Sequence, residues 1–323
     1  MAEIVGDWFR PGVDRKTLKE LMRRSDLVPL TRLAGFLGAL AASGWVSYAY
    51  WGTLPGALAF IVYGAIYGFI ESLRHETHHR TAFRSPAINA AVHWLAGFMG
   101  VNEPLSDRWL HTKHHSHTYR TGIDPEIQTP RPPNLVLIAL DLFRLRSLPA
   151  KLSRIVSLAS GRFEPVLAAE VPEAERPAIV WSARAMLAGY AAIILASAAL
   201  QSWMPLVYTF GARMSGAWLH MLAAYTQHAG LPENVDDFRV NTRTIISNPI
   251  LRFLYWNMNY HIEHHMFPLV PFYHLPKLHR LIKDDLPAPY RGFPDAWLEI
   301  VPVLIAQRRD PNIFIRRGPL QEH

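Results

Sequence analysis

Residues 33–51 run for nineteen positions without a charged side chain, and residues 54–70 add seventeen more after only Gly52 and Thr53. A membrane-crossing helix needs ~20 such residues. Neither run shows the polar face that a surface helix of a soluble protein carries. Two runs joined by so short a turn predict a helical hairpin that crosses a bilayer and returns. A second pair follows. Residues 178–200 are apolar except for Arg184, and residues 203–225 are apolar except for Arg213 and His220, with Gln201 and Ser202 between them. The expected fold class is an all-α integral membrane protein with four transmembrane helices in two hairpins. Arg213 lies in the middle of the fourth run, where a guanidinium against lipid is costly, so it needs a partner, water or a substrate head group.

The basic residues set the orientation. Of 33 lysines and arginines, 6 lie in residues 1–29, 13 in 74–177 and 11 in 226–323, while the two tight turns carry none. Positive charge stays on the cytoplasmic side. The N-terminal segment 1–29, the middle segment 74–177 and the C-terminal segment 226–323 are therefore expected inside. The hairpins span 30–73 and 178–225, in one domain over 1–323 without an internal repeat. The basic residues do not gather into one run, which argues against nucleic acid as a partner. The first 25 residues lack a signal peptide's apolar stretch and include Asp7, Asp14 and Glu20, so no cleavable leader is expected. Arginine outnumbers lysine 27 to 6, which points to a GC-rich bacterial genome, and so to a multi-pass protein of a bacterial inner membrane with both termini cytoplasmic.

Shorter segments fill the rest. Residues 16–24 form a basic, partly helical surface stretch. Residues 87–101 and 135–145 are too short to span and belong in the interface or the core. Pro130, Pro132 and Pro133 make 129–134 a stiff connector.

Every histidine triplet of the chain lies in one of the expected inward segments. His75-Glu76-Thr77-His78-His79, His111-Thr112-Lys113-His114-His115 and His261-Ile262-Glu263-His264-His265 each place histidines at i, i+3 and i+4. At 100° per residue such side chains fall within roughly 100° of arc on a helix and can meet at one centre. Nine of sixteen histidines lie in these triplets. One triplet is as easily a set of packed core histidines as a ligand set, but three copies have no packing explanation. Imidazole is the commonest metal ligand. Three triplets exceed what one four-coordinate ion uses, so two metals are expected. Without cysteine the chain has no disulfide, thiolate nucleophile, Fe–S cluster or Cys-bound zinc of its own. Glu71, one helical turn before His75, is placed to accept that ring's other N–H. Asp124 could do the same for the second triplet, or could be only a turn residue before Pro125. No general base or nucleophile beyond the metal ligands is expected.

The order HETHH, HTKHH and HIEHH, with an apolar hairpin before the first and third boxes, resembles the membrane fatty acid desaturase family over roughly residues 30–280. The resemblance implies a four-helix membrane stalk under a cytosolic helical cap that carries the metal site. It implies a non-haem di-iron centre held by His75, His79, His111, His114, His115, His261, His264 and His265, with His228 after the fourth span as the ninth ligand. It leaves His78 outside, although helix geometry alone keeps His78 a candidate. The implied reaction is O2-dependent conversion of a C–C into a C=C bond in a fatty acyl or related lipid chain, with two Fe as cofactor. Electrons would come from a separate ferredoxin, rubredoxin or cytochrome and its NAD(P)H reductase, because no haem or iron–sulfur motif is visible. The basic face suits an acidic carrier.

Related readings share the same boxes: hydroxylation or ketolation, or desaturation of carotenoids, sphingolipids or small amino-acid-derived molecules. The third box, Asn-Tyr-His-Ile-Glu-His-His-Met-Phe-Pro, fits those groups as well as the acyl enzymes, and His261 stands where front-end acyl desaturases have glutamine. His75-Glu76-x-x-His79 also matches the H-E-x-x-H zinc protease pattern, which leaves two triplets without a role. A metal carrier fits less well, because transporters hold their ligands near the bilayer midplane.

Overall fold

The computed structural model describes residues 8–317, so the first seven positions of the basic N-terminal segment and the last six of the C-terminal segment lie outside the described residues. Every extended element is a helix. Two isolated β-bridges, Thr244 with Tyr260 and Ile245 with Tyr290, are all the sheet-like pairing present, and no strand forms among the described residues.

Three helices are long and apolar enough to cross a membrane by length and composition: Leu27–Ala49, Leu54–His78 and Glu173–Ala199. The first two make the expected hairpin. Thr53 caps the second helix by accepting the Gly56 amide, and Gly52 turns the chain at φ 81°. Their outer faces expose Trp45, Tyr48, Leu58, Ile61 and Val62, and Trp181, Ile194 and Leu195 are exposed on the third. An exposed apolar surface of this extent marks contact with lipid or another apolar phase.

The fourth expected span is the point of difference. Residues 204–225 are helical, but a short piece Met204–Leu206 and a π-helical turn Val207–Gly211 precede the regular helix Ala212–Tyr225. Pro205 at the start of the run cannot donate into the ladder, and π-helical turns, rare overall, occur mostly as single turns inside α-helices. Moreover, this helix is largely buried. Gly64 and Gly68 on the Leu54–Gly68 helix face it, and a Cβ on Gly216 would lie 1.7 Å from the Gly64 carbonyl oxygen. Small residues four apart allow such backbone contact between helices. Tyr63 donates to the Tyr208 carbonyl across the same seam at 2.7 Å, and the Tyr208 hydroxyl reaches Ser47 at 2.9 Å.

The first box lies on Ile70–His78 and its C-cap residue His79, a helix that continues the second apolar helix past a break at Phe69, while the second lies on Pro104–Ser116 and the third on the six-residue helix His261–Met266. Residues expected short of a span form Pro86–Gly100 and Leu135–Leu142, and the basic stretch near the N-terminus is helical over Arg15–Leu21. The largest core joins Phe36, Phe69, Ile70 and Leu73 to Trp256, Phe272 and Leu275, and so locks the third box onto the first hairpin. Arg32 strengthens that junction. Its guanidinium donates to the Phe253 carbonyl and lies over the Phe253, Trp256 and Phe272 rings.

Candidate metal centre

Each box helix contributes its histidines to one shared volume. His75, His79, His111, His115 and His264 form one group and His114, His228, His261 and His265 a second, with the candidate donor atoms of each group within 4.8 Å of one another. All nine residues expected as ligands are therefore brought together, from four separate stretches of chain. His78 is not among them. Its Nε2 lies 2.8 Å from Asp107 Oδ2 and 3.1 Å from Arg74 Nη1, and its ring stacks on His111 from behind. It sits one position before His79, and 100° of rotation is enough to turn it from the centre.

The spacing within the groups fits a cation. Nε2 atoms face each other at 2.9 Å between His75 and His264, 3.1 Å between His79 and His111, 3.1 Å between His111 and His115, 3.2 Å between His228 and His261, and 3.1 Å between His261 and His265. Donors held ~2.1 Å from a common ion lie ~3.0 Å apart at a right angle and ~3.4 Å apart in a tetrahedron. Burial, reinforced by neighbouring imidazoles, holds His79, His115, His261, His264 and His265 well below the usual histidine range. Neutral imidazoles are the form that binds metal.

The rear nitrogens are held in turn. His114 Nδ1 donates to Asp124 Oδ2 at 2.9 Å, as one of the two expectations for Asp124 had it. Burial alone would lower His114, yet the carboxylate outweighs it and the ring titrates above its ordinary value. Asp124 is itself fixed by the amides of Tyr119 and Glu126. Glu126, which the sequence reading did not single out, holds His111 Nδ1 at 3.1 Å. His265 Nδ1 meets Thr118 Oγ1 at 3.1 Å, and His228 Nδ1 donates to the Asn241 carbonyl at 2.8 Å. The only sequence cue to Glu126 is its place two residues after Asp124.

Glu71 corrects an expectation. It does not orient His75; Arg74 binds one carboxylate oxygen at 2.6 Å, while Arg213, Lys151 and Arg144 surround the other. Its helical position is right for His75, but Arg74 of its own helix and Arg144, Lys151 and Arg213 from elsewhere in the chain converge there and occupy it. The same arrangement places Arg213, which is fully buried and donates to Glu71 and to the Gly100 carbonyl.

A cavity of about 220 Å³ borders both groups, with His75 of the first and His114 and His228 of the second in its wall. Its remaining wall is mixed: Met221, Ala224, Tyr255 and Met258 are apolar or aromatic, while Glu71, Arg74, Arg144 and Lys151 are charged.

A helical chain with three membrane-compatible helices that gathers nine histidines into two groups, each able to hold a metal ion, differs from the carboxylate-rich di-iron bundles. The sequence pattern of the family described as "Fatty acid desaturase" matches residues 50–297, more than half of the chain, and the chain belongs to that family. No curated protein sequence matches it significantly.

Proposed function

We propose that this protein is a membrane-bound di-iron oxidoreductase that uses O2 to oxidise an unactivated aliphatic C–H bond, by desaturation or by hydroxylation. The observation that carries the reading is the division of nine histidines into adjoining groups of five and four around a common cavity. When bound, a pair of irons supplies the oxidising power for O2-dependent C–H cleavage. The chain's own residues do the rest. His75, His79, His111, His115 and His264 would hold one ion and His114, His228, His261 and His265 the other, while Asp124 and Glu126 fix the rings of His114 and His111. The cavity beside them positions the substrate and limits water.

An acyl chain is the substrate that the family's description names. The charged wall favours the alternative of a smaller polar molecule. The zinc protease reading fits less well, because three further histidines, His111, His115 and His264, join the expected His75–His79 pair. We further place residues 204–225 as a fourth crossing, its interruption supported by neighbouring helices, with the boxes on the cytoplasmic side of a bacterial inner membrane. Electrons would come from a separate acidic carrier and its NAD(P)H reductase. Arg24, Arg80, Arg84 and Arg108 border a surface pocket that reaches His93, whose ring contacts His78, which stacks on His111. This basic rim supports such a partner.

Iron analysis of purified protein tests the core of the proposal. About two irons per chain are expected, about one or none in a His114→Ala variant. Purified protein that takes up a single zinc and no iron would exclude it.

A further inference from the structure

The cavity wall combines two features that an acyl slot has no use for. First, Arg74, Arg144, Lys151 and Arg213 converge on the single carboxylate of Glu71, with Asp107 beside Arg74 and Asp141 beside Arg144. Secondly, the donors on the cavity side are incompletely used. Arg144 and Lys151 reach Glu71 only at 3.4 and 3.3 Å, and Arg144 Nε is buried without a partner. Arg144 is itself more than nine-tenths buried and holds a left-handed backbone conformation at φ 55°, unusual for a side chain with a Cβ. Burial holds the Lys151 ammonium well below its ordinary value against the pull of Glu71, and the three guanidiniums add to that effect. A second anion would relieve this repulsion.

We propose that the substrate is a small anion, a carboxylate or phosphate carrying a short aliphatic chain, whose head group is bound by Arg144 and Lys151 while its chain lies along Met221, Ala224 and Met258 against the histidine groups. The proposal rests on reading those groups as the oxidising centre. The volume agrees with it: about 220 Å³ is of the order of the ~150 Å³ cavity that accepts a single benzene, too little for a long lipid chain. Position agrees as well. Glu71, at the centre of the cations, lies four residues before His75, ~6 Å along the helix. The bond attacked is therefore only a few carbons from the anion.

The test uses the full-length, iron-loaded protein in detergent with hexanoate, hexanamide and decanoate as probes, read by isothermal titration calorimetry beside iron content. Hexanoate should bind at least tenfold more tightly than hexanamide. Arg144→Gln and Lys151→Gln should each abolish that preference at unchanged iron content. Equal binding of acid and amide, or binding of neither by protein that holds its iron, would overturn the anion site and leave the metal reading intact. Decanoate binding on the order of a hundredfold more tightly than hexanoate, as four extra buried methylenes would give, would overturn the short chain. Preference for hexanoate in protein that binds no iron would keep the anion site and remove the metal reading. Should both variants fail to fold, the comparison of acid with amide on the wild-type protein still decides.

Discussion

Two carboxylates expected behind histidine rings turn out to do different work, and substitution separates them. Asp124 accepts the His114 Nδ1 proton, so Asp124→Asn should weaken iron binding about 10–100-fold, measured as iron retained against a chelator. Glu71 instead balances buried cations. Removing its charge leaves Arg213 uncompensated, at a cost of about 3–5 kcal/mol. Glu71→Gln should therefore lower the thermal midpoint while the surviving folded protein keeps its iron. His93 offers a pH prediction. It is buried between Thr77 Oγ1 and the Pro104 carbonyl, and burial lowers its pKa to about 4 from 6.5. Below pH 6.5 the unfolded chain takes up a proton that the folded chain refuses. The stability due to neutral His93 is thus full above 6.5 and falls as the pH drops toward 4, by ~1.4 kcal/mol per unit and about 3 kcal/mol in all. His93→Gln, whose amide can serve both partners, should flatten that part of the acid dependence of the thermal midpoint.

Among the elements, the decisive contact is the seam between Leu54–Gly68 and Ala212–Tyr225. Gly216→Ala would put a methyl 1.7 Å from the Gly64 carbonyl oxygen, and nothing there can move except backbone. The variant should lose at least ~3 kcal/mol, as severe overpacking does, and should elute as aggregate in size-exclusion chromatography. Gly38→Ala, with no atom within 4 Å of the added methyl, should elute as the wild type does. The apolar runs made the helices legible, because a charge-free stretch has few other fates. They did not show the π turn at Val207–Gly211 or the glycine seam. Both depend on which helix lies opposite, and residue spacing along one chain does not encode its neighbour.

For the molecule as a whole, the absence of cysteine makes topology directly testable. Single cysteines at Thr53 and Ser202 should react with an impermeant maleimide from outside intact cells, and those at Ser160 and Asp310 only after permeabilisation. Labelling of the Asp310 site from outside would mean that residues 204–225 do not cross. At this scale the division between sequence and tertiary structure is clear. The sequence alone determined that the chain is helical, rich in membrane-compatible segments and equipped with nine histidine ligand candidates, because hydropathy and helical periodicity are local properties. Only the folded chain decided that His78 turns away, that Glu126 supports His111 and that Glu71 serves four cations instead of His75. It also put charge in the wall of the cavity beside the histidines. Those outcomes depend on side chains far apart in sequence competing for the same space and the same partner, and that competition exists only once the helices have packed.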